Sequence, residues 1–149
     1  MSGGTAFAVG ATAVAGLAGS VQVALMGRFG DRVGVFEALA FATLVTALLS
    51  CTTLLVARRS LDGYGAALHA PAWLWLAGLM GLIVVLTITF AAPRLGAAAT
   101  IGLLIAGQLT MGAVIDRFGL FGLEEIAIGR ARLLGIALLA VGAALSLRR

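Results

Sequence analysis

Polar positions are sparse along this chain, and the apolar runs between them have the length of membrane helices. Charge-free windows extend over about residues 5–26, 38–57, 73–92, 95–115 and 133–147. At ~1.5 Å rise per residue, the first four each cross the ~30 Å hydrocarbon core of a bilayer. The fourth is the best defined, with 21 uncharged residues between Arg94 and Asp116. The fifth has only 15, but Arg130, Arg132, Arg148 and Arg149 flank it and can snorkel to the two interfaces. The pattern predicts an all-α integral membrane protein, one domain over residues 1–149 with five transmembrane helices. Turns are expected at Gly30-Asp31-Arg32, at the Pro93-Arg94 break and after Asp116-Arg117. A polar loop is expected around Asp62, Gly63, Gly65 and His69. Trp73 and Trp75 stand at the entrance of the third span, where an interfacial aromatic belt falls. The first run has no basic segment before it and is too long for a signal-peptide core, which predicts a retained span.

Composition agrees with this pattern. The chain is 62% hydrophobic and 11% charged, with a mean hydropathy of +1.15, outside the range of soluble globular domains. Its ten basic residues are all arginines scattered at segment ends, which excludes a nucleic-acid surface. Cys51, the single cysteine, lies in an apolar run and can form no intrachain disulfide. No nucleophile, base and orienting group occur together, and no glycine-rich phosphate loop opens a helix. Neither an enzyme nor an ATP-driven pump is predicted, and no cofactor or metal, since His69 has no metal-spaced partner.

The arginines also bear on orientation. With five spans, Arg58, Arg59, Arg117, Arg130 and Arg132 share the side of the N-terminus, and Arg28, Arg32, Arg94, Arg148 and Arg149 share the other. A five-to-five tie leaves the positive-inside bias without a preference. The tie predicts insertion in both orientations and an antiparallel dimer.

Several motifs carry a resemblance. Pro93-Arg94-Leu95-Gly96-Ala97, Gly107-Gln108-Leu109, Ile115-Asp116-Arg117-Phe118-Gly119-Leu120-Phe121-Gly122 and Arg132-Leu133-Leu134-Gly135 follow in this order. With Gln22 and the Ala70–Gly78 stretch, they resemble the YdcZ-like family of small inner-membrane exporters in the drug/metabolite transporter superfamily. The likeness covers most of the chain and is most specific from Pro93 to Gly122. It implies a bundle of that superfamily's kind and a small-molecule substrate. The family contains dual-topology proteins, oppositely oriented pairs and fused inverted halves. It therefore also implies pairing, with a second copy or with a related, oppositely oriented chain. Met26 stands where the family pattern has Asn, and Val84 where it has Tyr. Both departures remove a polar group, pointing to a less polar substrate or to a partner that supplies the missing groups.

Candidate pathway residues come from polar positions within the spans. Gln108 lies at the middle of the fourth with Gly102, Gly107 and Gly112 around it. An amide facing lipid costs several kcal/mol, so Gln108 must face substrate, water or another helix. Gln22 shares a face with Thr12, Ala15, Gly16 and Gly19 at spacings of three and four. Thr43, Thr46, Ser50 and Thr53 form a hydroxyl stripe on the second span, and Thr87 and Thr100 add hydroxyls on the third and fourth. These line a pathway or simply bond their own helix one turn back. Glu37 is a candidate for proton coupling, although a Glu at a helix start is ordinarily a dipole-stabilised end residue and the family has a small residue there. Arg94, Asp116 and Arg117 are candidates for a gate or an interface anchor, and Gly135 and Gly142 give the fifth span a small-residue face.

The function expected is secondary export of a small metabolite or drug-like solute, amphipathic or cationic, by alternating access in a dimer. Two alternatives remain at this stage. One is a small dual-topology ion channel lined by hydroxyls and amides; the other is a membrane subunit that assembles without transporting.

Overall fold

A computed structural model describes residues 3–60 and 62–147. Its regular structure is helical: α1 (Gly3–Val33), α2 (Val35–Arg58), the short α3 (Asp62–Leu68), α4 (Leu76–Leu95), α5 (Ala97–Phe118) and α6 (Arg130–Ser146). A 3-10 turn over Ala72–Trp75 leads into α4. Among the described residues four stretches are long and apolar enough to cross a membrane: α1, α2, Ala72–Leu95 and α5. At ~1.5 Å per residue the 17 residues of α6 reach about 25 Å, short of a bilayer core on their own. Arg148 and Arg149, expected to anchor the end of that helix, lie outside the described residues.

Two helix breaks differ from the sequence expectation. α1 runs without interruption through Gly30-Asp31-Arg32 and ends only at Gly34, where φ is 107° and ψ 149°. α4 runs through Pro93 and Arg94 to Leu95, and the break falls at Gly96, with φ 84° and ψ 156°. Residues with side chains are essentially barred from this backbone region, at a cost of about 1–3 kcal/mol. Glycine therefore decides where these helices stop. Pro93 lacks the N–H that would bond the carbonyl one turn back, and the helix ends two residues later at Leu95.

Gly30 has another use. It is buried, and a Cβ there would come within 2.6 Å of Thr89 Cγ2. Thr89 is itself wholly buried, so the absent side chain at Gly30 is what lets the two helices approach.

The chain forms two compact units. One gathers the residues up to Ala24 and from Ala91 onward, and the other is Leu25–Phe90. In Leu25–Phe90, the rings of Phe29 and Phe41 meet edge to face at 5.8 Å and 84°, tying the end of α1 to α2. The expected polar loop around residues 62–69 is in fact mostly the helix α3. Tyr64 Oη lies 2.9 Å from Cys51 Sγ, and Trp75 Nε1 donates to the Ala67 carbonyl at 3.2 Å. The hydrogen bond to Cys51 raises the Tyr64 phenol above its ordinary value of 10.0. α3 is thus pinned to α2 on one side and to the entrance of α4 on the other.

In the unit that holds the residues from Ala91 onward, α5 and α6 pack as an antiparallel hairpin. A Cβ on Gly102 would lie 3.1 Å from the Ala143 Cβ, so the two helices approach closely there. The connection turns through Gly119, Phe121 and Gly122, all at positive φ, before an irregular stretch reaches Arg130.

Small side chains dominate the buried positions, with Ala38, Ala92, Ala99, Ala113 and Ala143 prominent among them. Large apolar residues such as Phe7, Leu17, Leu48 and Leu138 stand exposed. Water would oppose this inversion, whereas lipid accommodates it, because close backbone packing rather than expulsion of oily side chains holds membrane helices together. Met26, one of the departures from the family pattern, is buried, a position where an amide would need a partner.

Candidate substrate pathway

The hydroxyl groups in the spans share one geometry. Thr43 donates to the Leu39 carbonyl at 2.8 Å, Thr46 to Ala42 at 2.9 Å and Thr53 to Leu49 at 2.8 Å. Ser50 donates to Thr46 at 2.7 Å. On α4, Thr87 donates to Ile83 at 2.8 Å, and on α5 Thr100 does so to Gly96 at the same distance. Each hydroxyl proton is thus satisfied one turn back on its own helix, so these residues can face lipid at little cost. Thr46 and Ser50 are exposed, as is Thr87, whereas Thr100 is buried at the start of α5.

The amides behave differently. Gln22 and Gln108 are the only side-chain amides in the sequence. Both are exposed, and among the described residues neither has a hydrogen-bond partner. Gln108 is the twelfth of the 22 residues of α5, some 16 Å along the axis from either end at ~1.5 Å per residue. An amide at that depth carries two donors and an acceptor with nothing among the described residues of its own chain to satisfy them.

The charged candidates lie at helix ends. Glu37 is exposed in the first turn of α2, its carboxylate folded over Gly34, where a side chain would collide with it. Arg94 is exposed in the last turn of α4, and Arg117 is exposed in the last turn of α5. Asp116 is bound across the hairpin: Arg132 Nη2 donates to its Oδ2 at 2.5 Å, and its backbone carbonyl accepts from the Ile126 N–H at 2.7 Å. Arg132 is a partner that sequence reasoning missed. The two residues are 16 apart, and only the α5–α6 hairpin brings them together. Their placement relative to the helix dipoles was the available signal. A carboxylate in the last turn of one helix and a guanidinium in the first turn of the next are each disfavoured alone, so each calls for a partner.

The glycines separate into two groups. Gly102 lies against Ala143, as described above. Beside Gly16, Gly19, Gly107, Gly112, Gly135 and Gly142 no described atom occupies the space a Cβ would enter. Among the described residues no group of three His, Cys, Asp or Glu side chains is placed to hold a metal.

The sequence profile of the family described as "Putative inner membrane exporter, YdcZ" matches residues 7–145. No curated protein and no solved structure matches the chain.

Proposed function

The chain belongs to the YdcZ family of inner-membrane exporters, in the drug/metabolite transporter superfamily, and from that premise we propose that it moves a small amphipathic or cationic solute by alternating access within an antiparallel dimer. Membership makes it a multi-pass inner-membrane transport protein and not an enzyme. The observation that carries the finer proposal is Gln108, an exposed, unsatisfied amide halfway along an apolar helix. Such a group is stable in a membrane only against a second chain, water or a solute.

In this proposal α6 is the fifth span, its shortness offset by flanking arginines and by tilt or thinning of the bilayer. The open glycine faces of α1, α5 and α6 admit a second copy or a related, oppositely oriented chain. Two inverted copies form a site near the midplane, and rocking one against the other exposes it to either side. Thr46, Ser50, Thr87 and Thr100 supply mild polarity through their remaining lone pairs and Gln22 through its amide, which suits a solute that carries delocalised rather than concentrated charge. Arg94, Asp116 and Arg117 frame the mouths. A proton-coupled cycle would run through Glu37, whereas facilitated exchange needs no such group.

Flux in proteoliposomes tests this, with ethidium as the probe. Saturable uptake, accelerated by unlabelled ethidium on the far side, is expected of a carrier. Flux that rises linearly without saturation would mark a pore, and no flux above empty vesicles would sink the proposal for this substrate class. Orientation is tested separately, with Asp31→Cys and Glu124→Cys introduced singly into a Cys51→Ala background. An impermeant thiol reagent should label each in about half of the molecules, as an evenly divided arginine bias requires. Full labelling at one position and none at the other would rule out the antiparallel homodimer.

A further inference from the structure

Arg28, Asp31 and Arg32, in the last turns of α1, line a recess of about 320 Å³. Arg28 and Arg32 are four residues apart and lie on one face of the helix, with Asp31 beside them. All three are exposed, and among the described residues none of them forms an ion pair or hydrogen bond, not even with one another.

Depth identifies what such a recess meets. The stretch of α1 before Arg28 carries no charge from Gly3 to Gly27. Those residues extend about 37 Å at ~1.5 Å each, enough to cross the ~30 Å core with some tilt. Arg28 to Arg32 then stand at the level of the phospholipid headgroups. Two guanidiniums a turn apart form a fork for a phosphodiester, a group that arginine binds through paired N–H donors. Asp31 adds a selectivity: a purely anionic headgroup is repelled by it, whereas a headgroup ending in a primary ammonium can donate to it.

We propose that this recess is a binding site for one phosphatidylethanolamine-type lipid, its phosphodiester held by Arg28 and Arg32 and its ammonium by Asp31. The site leaves the transport pathway untouched and does not depend on which solute is carried.

Native mass spectrometry of the purified chain in detergent provides the test, with phosphatidylethanolamine, phosphatidylglycerol and phosphatidylcholine titrated separately. One phosphatidylethanolamine per chain is expected to bind more tightly than either other lipid. Arg28→Gln with Arg32→Gln should weaken that binding about twenty-five-fold, taking about a factor of five for each basic residue at a lipid surface. Arg58→Gln with Arg59→Gln removes equal charge from the end of α2 and should retain the bound lipid. Asp31→Asn keeps both guanidiniums and should erase the preference for phosphatidylethanolamine over phosphatidylglycerol. That variant gives an independent readout should the double arginine variant fail to fold. Unchanged affinity in the Arg28/Arg32 variant, or equal loss in the Arg58/Arg59 variant, would overturn the proposal. So would displacement of the lipid by millimolar inorganic phosphate, which would identify a free anion as the ligand.

Discussion

Replacing Gln108 with Leu is expected to lower ethidium flux roughly tenfold or more while leaving the protein folded and dimeric. Leu has nearly the volume of Gln and suits an apolar helix better, so α5 loses nothing in packing or propensity. What disappears is the one amide at the middle of that helix, which engages no described residue of its own chain. A hydrogen bond to a solute away from bulk water contributes about 1–3 kcal/mol, and 1.4 kcal/mol is a factor of ten. The hydroxyls of α5, Thr100 and Thr110, are bonded to their own helix and offer no substitute donor. Two measurements are needed, initial flux and dimer yield after chemical cross-linking. Loss of flux with the dimer intact assigns Gln108 to the solute. Loss of both assigns it to a hydrogen bond between chains, and unchanged flux removes it from the pathway.

Breaking the Asp116–Arg132 pair should have the larger effect on stability. Asp116→Ala leaves a guanidinium in the first turn of α6, where the helix dipole already disfavours it, and Arg132→Ala leaves a carboxylate at the end of α5 with the opposite mismatch. The side chains are 34% exposed for Arg132 and 25% for Asp116, so solvent screening reduces the cost to about 1–2 kcal/mol for each single variant. The exchange Asp116→Arg with Arg132→Asp restores the pair and places both charges in favour of the dipoles. Its thermal unfolding midpoint in detergent should equal or exceed that of the unaltered chain, with both single variants below it. If the exchanged protein is stable but carries no ethidium, the carboxylate is needed at the mouth itself and not merely as a clasp. If the single variants unfold like the parent, the pair contributes nothing to the hairpin.

The helix boundaries show where sequence reasoning succeeds and where it stops. Charge-free windows located the apolar helices because the transfer cost of an ionised side chain into hydrocarbon is large and independent of tertiary detail. Those costs say little about where a helix ends. Asp31, Arg32 and Arg94 can all continue a helix beyond the membrane core, and they do so. Gly34 and Gly96 end the helices because their backbone adopts a conformation reserved for glycine, yet the sequence contains 21 glycines, and nothing local distinguishes these two. Gly30, which looks like part of a turn, serves a helix contact instead. α3 was hidden because two glycines and an aspartate in seven residues argue against a helix. The contacts of Tyr64 with Cys51 and of Trp75 with Ala67 hold it in place.

The sequence by itself determined the solvent this protein lives in, the family it belongs to and the scarcity of polar groups within its spans. All three rest on composition and short-range order, which need no partner to be read. Tertiary structure decided which polar groups are already satisfied and which remain open. It turned the hydroxyl stripe into a set of self-bonded side chains, joined Asp116 to Arg132 across a hairpin and left Gln22, Gln108, Arg28 and Arg32 without partners among the described residues. The physical reason is that hydrogen bonds and ion pairs are short-ranged. Whether a donor is satisfied depends on what the fold brings within about 3 Å of it, and residues far apart in the chain supply that as readily as its neighbours do.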